Sequence, residues 1–158
     1  MKKSYTWVVV LVAVAGFYLW RYRRAPDLDL SSILVTDASG NSESLQSVLA
    51  DSSIVLFYAS WCGPCLKEIR ELKNAYSDYE QEHIRFFCVT DDPPEKIEVM
   101  RANMPESIIF LHTASLKELG VYTIPASCTV LNGKITHQQI SALDWQRKKE
   151  ILDSFNNN

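Results

Sequence analysis

The sequence predicts an α/β fold built on a mixed central sheet with helices on both faces. Two observations predict it. Through most of the chain, apolar runs with strand character alternate with segments of helical periodicity, an order that pairs strands in parallel. The last two strand-like runs flank Asn132-Gly133, a two-residue turn signal that makes them an antiparallel hairpin.

The elements follow in order. Residues 33–36 (Ile-Leu-Val-Thr) read as a short strand, and 37–41 are rich in turn formers. Residues 44–50 read as a short helix with Leu45, Val48 and Leu49 on one face and serines available as caps. Residues 54–59 (Ile-Val-Leu-Phe-Tyr-Ala) are continuously apolar, as suits a central strand buried on both faces. After Trp61-Cys62-Gly63-Pro64-Cys65, the spacing of Leu66, Ile69, Leu72, Tyr76 and Tyr79 predicts a helix, with Pro64 in its first turn. Residues 84–90 form the next strand, and Pro93-Pro94 opens a helix to about Ala102. Residues 108–111 read as a short extended piece, and 115–119 as a helical turn or two stopped at Gly120. The hairpin joins 127–131 to 134–140, and an amphipathic helix over 143–155 closes the chain before a frayed Asn156-Asn157-Asn158.

The N-terminal segment differs from the rest. Tyr5 to Trp20 carries no charge over sixteen residues and is bracketed by Lys2 and Lys3 before it and Arg21, Arg23 and Arg24 after it. A spanning helix wants roughly 20 apolar residues, and about 17 are tolerated. Tyr5, Trp7, Tyr18, Trp20 and Tyr22 lie near its ends, where amphipathic aromatics favour a membrane interface. The organisation expected is therefore an anchor over 1–24, a linker over 25–32 and one domain over 33–158. A cleaved signal peptide is the alternative, with Ala13-Val14-Ala15 as its cleavage site. Flanking positive charge is level on the two sides and does not set orientation. The net charge of −3 supplies no basic excess to neutralise phosphates, so nucleic acid is not an expected partner.

Four cysteines are too few for a disulfide-dense scaffold in 158 residues. Cys62 and Cys65 form a C-x-x-C pair at a strand-to-helix junction. That placement puts the first sulfur among unpaired helix N–H groups, which favour the thiolate that attacks disulfides. The second lies almost one turn on, close enough to close a ring with the first and to resolve a mixed disulfide. Gly63 removes bulk and Pro64 stiffens the bridge. A zinc site is disfavoured, because Cys88, Cys128, His83, His112 and His137 offer no second pair at metal spacing. A purely structural disulfide is disfavoured because so tight a loop gains little chain entropy. Cys88 and Cys128 fall inside predicted strands and are expected to be buried and inert.

The segment from Phe57 to Cys65 (Phe-Tyr-Ala-Ser-Trp-Cys-Gly-Pro-Cys) resembles the active-site segment of the thioredoxin superfamily. Thr123-Ile124-Pro125, about sixty residues on, is similar to that family's second signature, a cis proline before a sheet strand. The resemblance covers roughly residues 32–155 and implies a thioredoxin-like fold. It implies that Pro125 packs beside Cys62 and that Ile124 pairs its backbone with substrate. Trp61, Gly63 and Pro64 would complete the substrate-contacting surface. The N-terminal segment and Leu66-Lys67-Glu68 after the dithiol resemble the membrane-anchored, extracytoplasmic ResA/TlpA-like reductases. In that group a glutamate at the Glu68 position lies near the dithiol, and a side chain at i+3 from Cys65 leans toward it. Thioredoxin itself has a buried aspartate where this chain has Leu56, so proton transfer through that position is not expected.

The reaction implied is reduction of protein disulfides outside the cytoplasm, without metal or organic cofactor. A membrane thiol donor of the CcdA/DsbD type would supply electrons, and a role like cytochrome c maturation is compatible. The competing readings are a non-enzymatic binding or chaperone module of the same fold, and a disulfide oxidase or isomerase. A peroxide-reducing enzyme of the fold would need a distinct peroxidatic cysteine context, which the sequence lacks.

Overall fold

The computed structural model describes residues 3–22 and 28–155, with side chains over 7–18 and 28–155. Met1, Lys2, Arg23, Arg24, the predicted linker's residues 25–27 and the three terminal asparagines lie outside the described residues. The elements are α1 (Lys3–Tyr22), β1 (Leu34–Thr36), β2 (Ser42–Ser44), α2 (Leu45–Val48), β3 (Ser52–Phe57), α3 (Gly63–Glu80), β4 (Arg85–Thr90), α4 (Pro94–Arg101), β5 (Ile108–His112), β6 (Ala126–Leu131), β7 (Lys134–Ile140) and α5 (Lys148–Asp153).

Seven strands form one sheet in the order β2-β1-β5-β4-β3-β6-β7. The pairs β3–β4 and β4–β5 are parallel, whereas β3–β6, β6–β7, β1–β2 and β1–β5 are antiparallel. The mixed sheet of the sequence reading is therefore present, with its parallel part confined to the centre. Alternation along β3 sends Ile54 and Leu56 to one face and Val55 and Phe57 to the other. The first face packs under α3, α4 and α5 through Ile69, Leu72, Tyr79, Ile97 and Ile151. The second is covered by Leu28, Leu30, Ile33, Leu45, Leu116 and Val121.

Three expectations need correction. Residues 42–44 form β2, although Ser-Glu-Ser has no apolar pattern. A carboxylate folds this hairpin: Asp37 Oδ1 accepts from the Ser39 N–H (2.8 Å) and the Asn41 N–H (2.9 Å), and Gly40 supplies a φ of 83°. Residues 116–120 are turns rather than helix. The closing helix spans only Lys148–Asp153, because the backbone at 143–145 is engaged elsewhere. The Leu143 N–H donates to Glu68 Oε1 (2.7 Å), and the Trp145 carbonyl accepts from the Tyr79 hydroxyl (3.0 Å). Leu143 and Trp145 are buried core residues of a loop, so apolar content at this point of the sequence does not mark a helix. Tyr79, Phe86 and Trp145 stack edge-to-face at 5.6–5.9 Å and fix that loop on α3.

Packing begins inside the predicted linker, since Leu28 and Leu30 are core residues. In α1 the apolar side chains from Trp7 to Val12 are exposed. Among the described residues no helix is long and apolar enough to cross a membrane.

Candidate active site

β3 delivers the chain to the site. Its parallel pairing with β4 continues one residue past the strand, where the Tyr58 N–H donates to the Val89 carbonyl (3.1 Å). A tight turn follows, closed by the Cys62 N–H donating to the Ala59 carbonyl (3.0 Å). Asp92, from the loop after β4, holds this turn from below: its Oδ2 accepts from the Ser60 N–H and from Thr90 Oγ1 (3.1 Å), and its Oδ1 accepts from Ser60 Oγ (3.2 Å). The sequence reading missed Asp92, which sits between Asp91 and Pro93 and looks like an ordinary helix start. An acid two residues past an apolar strand that runs beside a C-x-x-C strand is the signal that could have found it.

Cys62 is the N-cap of α3, with extended backbone (φ −87°, ψ 102°). Its Sγ accepts from the Cys65 N–H (3.3 Å), the bond a capping side chain makes to the third helical residue. The two cysteines are joined in a disulfide with Cα atoms 5.3 Å apart. Cys62 is 6% exposed and Cys65 1% exposed, so the leading sulfur is the more accessible. A Cβ built on Gly63 meets nothing within 4 Å, so the fold does not demand glycine there and the space outside is open. Gly63 and Pro64 are both exposed. The Trp61 indole is 78% exposed, extending into solvent instead of capping the core.

The Ile124–Pro125 peptide is cis. Pro125 is buried and immediately precedes Ala126, which pairs with Phe57, so it enters the sheet beside the strand end that leads to Cys62. Ile124 is half-buried and packs against both core clusters. Tyr122, three residues before Pro125, is 71% exposed.

Beneath the dithiol the core contains titratable groups. Glu68 is 3% exposed. Burial pushes its carboxyl up from an ordinary value near 4.5 to about 7; the Glu71 charge adds to this, and the Leu143 N–H opposes it. Cys88 and Cys128 are free and buried, as expected from the strands that carry them. Burial pushes the Cys88 thiol far up, aided by the charge of Glu68, and pushes Cys128 to about 12. Neither forms a thiolate at neutral pH. The Tyr58 hydroxyl makes no hydrogen bond among the described residues; burial chiefly, then the nearby Cys88 and Asp92, raises its pKa. Leu56, the position of the absent aspartate, is fully buried on the same face. No group of three or more His, Cys, Asp or Glu side chains among the described residues is placed to hold a metal.

The disulfide thus lies at the N-terminus of α3, with the cis Ile124–Pro125 peptide at the start of the neighbouring strand. Residues 22–124 match the AhpC/TSA family. The chain belongs to that family, within the thioredoxin-like thiol–disulfide oxidoreductases. A thioredoxin of Rickettsia typhi is 30% identical over 122 residues, covering 77% of this chain and 93% of that protein. Among solved structures, a thioredoxin-like protein of Porphyromonas gingivalis superposes with a TM-score of 0.64 at 21% identity, covering 82% of this chain and 90% of that one. StoA of Bacillus subtilis gives a TM-score of 0.57 at 20% identity, covering 74% and 92%. These neighbours share the fold of this AhpC/TSA member.

Proposed function

We propose that this protein reduces protein disulfides, with Cys62 as nucleophile and Cys65 as resolving thiol. The observation that carries the reading is Cys62 at the N-cap of α3, bonded to Cys65 and more exposed than it. In the reduced protein the Cys62 thiolate attacks one sulfur of a substrate disulfide and expels the other as a thiolate, which takes up a proton. Cys65 then loses its proton and attacks Cys62 Sγ. The second substrate thiolate leaves, and the Cys62–Cys65 disulfide remains. Two electrons pass from the dithiol to the substrate. Glu68, three residues after Cys65 and buried with it, accepts the Cys65 proton in this scheme. Pro125 and Ile124 border the cleavage point, and the exposed surface of Trp61, Gly63 and Pro64 meets the client chain.

Insulin reduction by the full chain tests the activity. Turnover is expected in the wild type and its loss in Cys62→Ser. Equal turnover in the variant rules out the dithiol mechanism. The direction is tested by the reduction potential against glutathione. A value toward the thioredoxin end, about −270 mV, supports a reductase, whereas one near the DsbA value of about −120 mV makes the protein an oxidant.

The proposal extends to place. The uncharged run from Tyr5 to Trp20, closed by arginines, supports an anchored domain outside the cytoplasm, recharged by a membrane thiol donor of the CcdA/DsbD type. A solitary reductase in an oxidising compartment gains from staying near its donor. A C-terminal alkaline phosphatase fusion would be active in this arrangement, and an inactive fusion contradicts it.

A further inference from the structure

We infer that the Leu143 N–H holds the Glu68 carboxylate in its proton-accepting form, making the loop 141–147 a positioning element for the dithiol's proton transfer. The inference rests on the proposed role of Glu68 and adds to it a residue 75 positions away in sequence.

A buried carboxylate needs something to offset its lost hydration. Among the described residues Glu68 has no ion-pair partner, since the ion pairs are made by other residues, all at the surface. The groups near it oppose its charge or are neutral. On α3 these are Glu71, whose charge opposes ionisation, and the disulfide-bonded Cys65. On β4 it is Cys88, whose thiol shares its field, and one residue past β3 it is Tyr58, which feels Cys88 in turn. From the loop and α5, the exposed Asp144, Arg147 and Glu150 are spent on one another at 3.2 Å, and Lys148 pairs with Glu82 and the Asp78 carbonyl. The Leu143 N–H therefore stands as the donor that compensates the Glu68 anion, at 2.7 Å, the length of a charge-assisted bond.

The donor is placed by design of the chain around it. Glu68 and Tyr79 are eleven residues apart, about three helical turns, so both face the loop from one side of α3. Tyr79 holds the Trp145 carbonyl at 3.0 Å, two residues from the Leu143 amide. Where the loop and α5 meet β6 and β7 lies a cleft of about 480 Å³, lined in part by Thr129, His137, Leu143, Asp144 and Arg147. The loop is thus tied to α3 by two hydrogen bonds and borders this cleft. Because Leu143 and Trp145 are also core side chains, the same packing that seals the loop onto α3 keeps the amide aimed at Glu68.

Two variants separate the amide from the side chain. Leu143→Pro deletes the N–H and keeps apolar bulk, whereas Leu143→Ala keeps the N–H and deletes bulk. The readout is the rate of Cys65 resolution against pH in the full chain. Leu143→Pro is expected to move the Glu68-dependent midpoint up by about one pH unit or more, the size of a lost hydrogen bond to a charged group. Leu143→Ala should leave it in place, and the Leu143→Pro shift should vanish in a Glu68→Gln background. An unmoved midpoint in Leu143→Pro, or an equal shift without Glu68, overturns the inference alone. A profile that Glu68→Gln by itself leaves unchanged overturns the role of Glu68 as well. Should the proline variant not fold, the wild type decides. The Leu143 amide proton shift, followed by NMR in the reduced protein, must titrate with the Glu68 carboxyl, and a flat amide response overturns the inference.

Discussion

Burial governs Glu68 more than any neighbouring charge does, and this gives a pH dependence with a definite sign. In the unfolded chain the carboxyl ionises near 4.5, and in the folded protein near 7. Below about 4.5 both states hold the proton. Between these values the unfolded chain releases it and the folded one does not, so stability falls as pH rises. Above about 7 both are ionised and the whole cost, about 3 kcal/mol, is in place. Glu68→Gln removes the slope. Urea unfolding of the oxidised protein should show a fall in stability from about pH 5 to about pH 8 that is smaller in the variant by an amount on the order of 2–3 kcal/mol. Equal slopes in the two proteins contradict the assignment. At this scale the sequence was informative where chemistry dictates residue type. Cys62 and Cys65 were visible from their spacing, and the cis geometry of Pro125 from its resemblance to a known signature. The Leu143 contact was not, because any residue but proline carries an N–H.

Single elements show where pattern and structure part. The hairpin at Asn132-Gly133 was legible because both residues take positive φ, 51° and 74°, which few other residue types tolerate. The β2 strand was illegible because hydrogen bonds to Asp37, not apolar alternation, bring Ser42–Ser44 beside β1. The shortened α5 was illegible because hydrogen bonds to α3 captured the backbone of 143–145. The turn before Cys62 depends in the same way on a remote side chain, the 7% exposed Asp92. Asp92→Ala leaves the Ser60 N–H and the Thr90 hydroxyl without that acceptor. A loss of about 2–3 kcal/mol is expected in chemical denaturation, from the cost of stranding buried polar groups. Insulin turnover should fall with it, because the turn carries Cys62. A variant as stable as the wild type would show that the turn holds itself.

From Leu28 to Phe155 the chain forms one sheet covered on both faces, with the redox pair where β3, between parallel β4 and antiparallel β6, leads into α3. The α/β class was legible from the alternation of elements. The antiparallel edge formed by β1 and β2 was not, since the first strand pairs with β5, more than seventy residues later. The same architecture separates the cysteines. It leaves Cys62, at 6% exposed, the most accessible of the four cysteines and seals Cys88 and Cys128 in opposite core clusters, with thiols too basic to compete. Trapping in whole cells tests that division of labour most directly. With Cys65→Ala the resolving thiol is gone, so mixed disulfides with client proteins should accumulate, and mass spectrometry should place every linkage at Cys62. Adducts at Cys88 or Cys128, or no adducts beyond those of a Cys62→Ala, Cys65→Ala double variant, would contradict the assignment of Cys62 as the attacking thiol.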